Sequence, residues 1–142
     1  MAETPKHSVS VAGVVVNDAN EVLVIQRRDN GRWEPPGGVL ELDESPEEGV
    51  YREILEETGI KTQVGPLSGI YKNMSRGIIA LVFRCEPVAG KEGSTDESRD
   101  VKWMSLPDVV DSFSPTYAVR VSDAFEPGVN VRTHDGVRLL EN

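Results

Sequence analysis

Between Gly38 and Ile60 the chain reads as glycine, five residues, Glu44, seven residues, then Arg52-Glu53-Ile54-Leu55-Glu56-Glu57-Thr58-Gly59-Ile60. That spacing sets a glycine loop ahead of one strongly acidic helix. Ser45-Pro46-Glu47-Glu48 supplies a serine N-cap, a proline at the first helical position and the glutamate of a capping box. Gly59 is the expected C-terminal stop. At about 100° per residue, Val50, Tyr51, Ile54 and Leu55 fall on one apolar arc and Glu53, Glu56 and Glu57 gather on the other side, facing a shared site.

Glutamates three and four residues apart repel, because two unit charges about 5 Å apart cost roughly 3 kcal/mol at an effective dielectric of about 20. Something must offset that. Arg52 reaches Glu48 or Glu56 at i±4, but one guanidinium cannot neutralise the whole cluster, whereas a hard divalent cation can. An oxygen-only ligand set favours Mg²⁺ or Mn²⁺, and Mg²⁺ is commonly held by a few carboxylates together with waters and substrate phosphates.

The run resembles the Nudix box of the Nudix hydrolases, G-x5-E-x7-R-E-U-x-E-E-x-G-U with U aliphatic. Every specified position is filled, by Gly38, Glu44, Arg52, Glu53, Ile54, Glu56, Glu57, Gly59 and Ile60. The likeness extends over about residues 8 to 124, through a strand ending in Gln26-Arg27-Arg28, a loop from Gly31 to Gly38, and Glu97 ahead of Val101-Lys102-Trp103. Gly49 departs from it, standing where the family often has alanine. In mid-helix it costs about 1 kcal/mol relative to alanine, and close packing against the sheet is the expected reason.

The resemblance implies an α/β protein, an α/β/α sandwich around a mixed β-sheet, with residues 1–142 forming one unit. It also implies metal-dependent hydrolysis of a phosphoanhydride in a nucleoside diphosphate linked to another group. The expected substrate is a nucleoside triphosphate, oxidised ones included, cleaved to monophosphate and pyrophosphate. Glu53, Glu56, Glu57 and the Gly37 carbonyl are assigned by resemblance to Mg²⁺, with Mn²⁺ as substitute. Candidates for the general base are Glu53, Glu56 and Glu97. Arg28 is set near the substrate phosphates alongside Gly37 and Gly38, whereas Arg27 is expected to be structural. Arg52 keeps its proton at all working pH and reads as an orienting partner of the glutamates, with Glu44 fixing the loop–helix geometry. Trp33 is open between stacking on a base and packing as core. Two rival readings are an ADP-ribose or nucleotide-sugar pyrophosphatase and a catalytically silent nucleotide sensor. The first lacks the proline about fifteen residues past Gly59 that would support it, and the complete glutamate set argues against the second.

A net charge of −9 disfavours long nucleic acids, which are bound largely by lysine and arginine on phosphates. A small nucleotide screened by metal remains compatible, with Arg27, Arg28 or Arg32 completing the clamp. With 38% hydrophobic and 27% charged residues and no apolar run of membrane-spanning length, no membrane segment is expected. The first seven residues lack the pattern of a secretory signal, so a cytoplasmic address is expected. A homodimer is allowed. The lone Cys85 reads as a buried structural thiol, and His7 and His134 receive no catalytic role.

Along the chain, residues 8–16 and 21–28 read as two paired strands around the turn Asn17-Asp18-Ala19-Asn20. Residues 61–71 and 77–85 form another pair expected to extend the same sheet. Residues 86–100 read as a polar loop beside the site, 101–104 as a short strand, and helices start at Ser105 and near Pro115, so that both sheet faces are covered. Within 129–140 an Asp-Gly turn between alternating segments suggests a hairpin.

Overall fold

A computed structural model describes residues 3–140. The first strand, β1 (Ser8–Val15), is buried on both faces from Val11 onward. Its side chains alternate between two apolar layers: Val11 and Val15 point one way, and Ala12, Val14 and Val16 the other. β2 (Val22–Arg27) divides likewise, with Leu23 and Ile25 in one layer and Val22 and Val24 in the other. Burial on both faces is what a sheet covered on each side by helices requires.

Beyond these come β3 (Trp33–Glu34), β4 (Gly37–Val39), α1 (Pro46–Thr58), β5 (Ile60–Asn73), β6 (Ile78–Gly90) and β7 (Ser98–Met104). They are followed by α2 (Leu106–Ser112), α3 (Pro115–Asp123), β8 (Asn130–His134) and β9 (Leu139–Leu140). A mixed six-stranded sheet runs β4-β1-β6-β5-β8-β9, with β1/β6 and β5/β8 parallel. A three-stranded antiparallel sheet runs β3-β2-β7. Helix α1 packs on one apolar layer through Val50 and Ile54, and α2 and α3 pack on the other through Val109, Phe113, Ala118 and Val121. This is an α/β fold with helices on both sides.

Three expectations are corrected. The turn after β1 forms, with Asn17 Oδ1 accepting from the backbone of Ala19 and Glu21, but Val16 and Val22 make only an isolated bridge. The two strands then part, so β2 joins β7 in the second sheet. The polar loop of 86–100 is shorter than expected: Glu86 to Gly90 continue β6 and Ser98 to Asp100 begin β7, leaving residues 91–97. On α1, Tyr51 is exposed while Glu53 and Glu57 are buried. At about 100° per residue Glu57 lies only about 20° from Val50, so the acidic pair flanks the apolar stripe instead of opposing it.

The tail hairpin forms as expected, and β8 adds to the sheet edge parallel to β5. Its anchor is Asp123, buried at the end of α3, whose carboxylate accepts from Tyr71 Oη at 2.8 Å and from Arg132 Nε and Nη2 at 2.7 and 2.8 Å. Gly49 also has its explanation. A Cβ there would lie 2.7 Å from Leu40 Cδ1 and 3.0 Å from Glu44 Oε1, so the loop before the helix demands glycine as much as the sheet does.

Candidate active site

Helix α1 is placed by its caps. Ser45 Oγ accepts from Glu48 N at 3.2 Å and Glu48 Oε1 from Ser45 N at 3.0 Å, completing the capping box. Gly59, at φ +80°, closes the other end in the left-handed region that favours glycine. With both ends fixed, Glu53 and Glu57 are successive residues of one face, one turn apart.

Among the described residues, Glu53, Glu57 and Glu97 each bring a carboxylate oxygen to within 4.8 Å of the others. Glu57 is the most constrained. Its Oε1 accepts from Gly37 N at 3.3 Å, and its buried Oε2 has no partner among the described residues. Burial first, then the neighbouring Glu53 carboxylate, pushes the Glu57 pKa far above the usual carboxylate range. Glu97 is also raised, by desolvation and by the charges of Glu56 and Glu53. Three crowded carboxylates, one with an orphaned buried oxygen, fit a hard divalent cation through their oxygen-only donors.

Glu97 arrives on the loop of residues 91–97, and hydrogen bonds hold that loop. The buried Ser98 Oγ donates to the Glu57 carbonyl at 2.6 Å, Glu97 N donates to Thr95 Oγ1 at 3.1 Å, and Arg28 Nη2 donates to the Thr95 carbonyl at 2.7 Å. Arg28, Glu57, Glu97 and Gly37 therefore line one chamber of about 280 Å³.

Arg52 bridges the carboxylates. It donates to both oxygens of Glu44 at 2.6 and 2.9 Å, to Glu53 Oε1 at 2.8 Å and to Glu56 Oε2 at 3.2 Å. The arginine lowers the Glu44 pKa to about 2. Glu44 also accepts from Glu41 N at 2.9 Å, which ties the loop to the helix. Glu56, more exposed, turns to Arg52 and stands outside the group of three. Because lysine cannot span these carboxylates, Arg52→Lys is expected to lower kcat/KM about 10- to 100-fold with the far-UV circular dichroism unchanged.

Gly38 pairs with Val11 in β1, and a Cβ on it would sit 2.7 Å from all three atoms of the Glu53 carboxyl group. Gly38→Ala is therefore expected to displace Glu53 and weaken metal affinity about tenfold or more, as read by metal titration. Of the remaining expected residues, Arg27 is paired with Asp29 and Glu34. Trp33 is not among the residues lining the chamber of Glu57 and Glu97; it lies under Lys102 Nζ at 4.6 Å and against the α2/α3 layer. Two residues without a sequence signal also stand out: Ser98, which no motif marks, and Glu34, half-buried with a pKa raised by desolvation and shared between the chamber at the glutamates and its neighbour.

The NUDIX domain family matches residues 6–124. A MutT-like protein of Streptomyces ambofaciens is 54% identical over 137 residues, 96% of this chain and 89% of that protein. An ADP-ribose pyrophosphatase of Methanocaldococcus jannaschii is 34% identical over 106 residues, 70% of this chain but 62% of that protein. Among solved structures, a NUDIX hydrolase from Nitrosomonas europaea superposes with a TM-score of 0.80 at 19% identity, covering 93% of this chain and 82% of that one.

Proposed function

The chain belongs to the Nudix hydrolases, and on that premise we propose that it is a Mg²⁺-dependent pyrophosphohydrolase, with Mn²⁺ as substitute, that cleaves a nucleoside triphosphate, oxidised ones included, to monophosphate and pyrophosphate. The observation that carries the reading is the convergence of Glu53, Glu57 and Glu97 around an unpartnered buried oxygen, in a chamber shared with Arg28.

In this reading Glu53 and Glu57, with the Gly37 carbonyl, hold the metal, and Glu56 stands beside Glu53 on the Arg52 guanidinium to complete the acidic rim. Bound there, the metal supplies charge neutralisation on the phosphoryl oxygens and lowers the pKa of water. Arg28, fixed by Thr95, adds a permanent positive charge for the same oxygens and costs no reorganisation. Glu97 takes the proton of the attacking water. Its carboxylate lies beside those of Glu53 and Glu57, and its loop is pinned to the turn of α1 that carries Glu57. Arg52 and Gly38 keep Glu53 in line. The buried thiol of Cys85, its pKa pushed up to about 12 by burial, has no part in this chemistry.

A panel of nucleoside triphosphates, oxidised nucleotides and nucleotide sugars tests this directly. Turnover is expected with Mg²⁺, to vanish on chelation and to return on adding Mg²⁺ back. A wild-type chain that cleaves no member of the panel with Mg²⁺ or Mn²⁺ contradicts the assignment. The archaeal ADP-ribose pyrophosphatase supports ADP-ribose as the second reading. Product analysis separates the two, because that substrate releases AMP and ribose phosphate without pyrophosphate.

A further inference from the structure

A second chamber of about 270 Å³ adjoins the first and shares Arg27, Glu34 and Gly37 with it. A group linked to a diphosphate at the glutamates would therefore find this space next to it. Part of its wall is apolar, from Ala12, Ile78 and Ala80. Besides the buried Thr116, two polar lining residues are buried: Arg120 is 9% exposed and His134 4% exposed.

Neither has its hydrogen-bonding capacity met. Arg120 Nε and His134 Nε2 are buried without a partner among the described residues. His134 Nδ1 accepts from Gly136 N at 2.9 Å, so in the neutral ring the proton sits on Nε2. Burial, and then the charge of Arg120, lowers the His134 pKa and keeps the ring neutral. Both orphans are thus donors, and a buried donor left unpaired is costly. The guanidinium lies over the rings of Tyr71 and Tyr117, at 5.3 and 4.6 Å from their centroids. Those faces offset part of its charge and the Glu34 carboxylate on the same chamber wall attracts it further, so what Arg120 Nε and His134 Nε2 lack is an acceptor within hydrogen-bond reach, not a counter-ion. Apolar walls favour a flat uncharged group over a hydrated phosphate.

We propose that this chamber takes the nucleobase, and that His134 with Arg120 selects bases with a carbonyl oxygen at purine C6 or pyrimidine C4, guanine or uracil, over adenine or cytosine, which carry an amine at that position. The inference rests on the nucleotide reading above. An amine there would set donor against donor, and sites built for a hydrogen-bonding group reject analogues that leave it unpaired. His134 and Gly136 belong to the tail hairpin, beyond residue 124 where the family match ends. Base selection in this chain is therefore partly the work of a segment outside the matched domain.

The test compares GTP with ATP and UTP with CTP, by kcat/KM with Mg²⁺ and by calorimetric affinity of the α,β-methylene analogues, in which the bond to be cleaved is blocked. Within each pair the oxo base is expected to be preferred about tenfold or more, as one good hydrogen bond allows. His134→Phe, which keeps a ring, and Arg120→Lys, which keeps the charge, should each collapse that ratio toward one, through KM and without a matching loss of melting temperature. Equal use of both members of each pair by the wild type overturns the proposal. So does an equal slowing of all four by His134→Phe, the mark of a merely structural role. Should no triphosphate be cleaved, the hydrolase reading fails separately and the analogue affinities still decide base selection.

Discussion

Replacing Glu57 by glutamine is expected to lower kcat on the order of 10³-fold and, in the metal-free protein, to raise the melting temperature. The first effect follows from losing a buried anionic ligand. The second follows from Glu57 being crowded and under-paired: Oε1 accepts from Gly37 N, Oε2 has no partner, and Glu53 lies alongside. A glutamine keeps the Gly37 contact and offers its amide to Glu53. The sign of the pH dependence follows from linkage. A folded pKa raised above the ordinary value of 4.5 means that the native state binds more protons than the unfolded chain, so wild-type stability falls as pH rises above about 4.5. Glutamine does not titrate, so its advantage should be small near pH 4 and several degrees near pH 8, on the order of 1–3 kcal/mol. Differential scanning fluorimetry with chelator across that range checks it. A variant no more stable than wild type at pH 8 would show that the carboxylate is not strained there.

Asp123→Ala is expected to be the most destabilising single change outside the apolar layers, by about 3 kcal/mol. Asp123 is 3% exposed and accepts from Tyr71, itself fully buried, and from Arg132 of β8. Without the carboxylate, the Tyr71 hydroxyl is an unpaired buried donor and the ion pair that fastens β8 to α3 is gone. Chemical denaturation should show the loss, and hydrogen exchange should show residues 130–140 opening first. Hydrolysis should suffer less than in Glu57→Gln, because Asp123 touches none of the three carboxylates.

The acidic helix was legible because its signals are local. Ser45, Pro46, Glu48 and Gly59 each act within one turn, and the observed Pro46–Thr58 follows from them. The contact of Arg52 with Glu56 at i+4 was legible as well, although Glu44 became its bidentate partner while Glu48 was used by the cap. Strand partnership was not legible. The turn at Asn17 predicts a hairpin, yet strands buried on both faces can pair along either edge, and β1 finds β4 and β6 while β2 finds β7. Helical spacing alone did not reveal that Glu53 and Glu57 share the buried stripe, because which sector of a helix is covered depends on the sheet it meets. Glu97 joined the cluster through Ser98 and Thr95, a loop geometry with no periodic signature. The Arg120–His134 chamber escaped entirely, since it is assembled from residues far apart in the chain.

That Glu53 and Glu57, with Glu97 beside them, form a divalent-cation site on which a diphosphate is anchored can be checked by calorimetric titration of Mg²⁺ into chelator-treated protein at pH 7, in two buffers of different ionisation heat. The expected result is saturable binding that releases protons as Glu57 gives up its own, with binding and release both lost in Glu57→Gln. Heats of dilution alone, or binding that Glu57→Gln leaves unchanged, would contradict it.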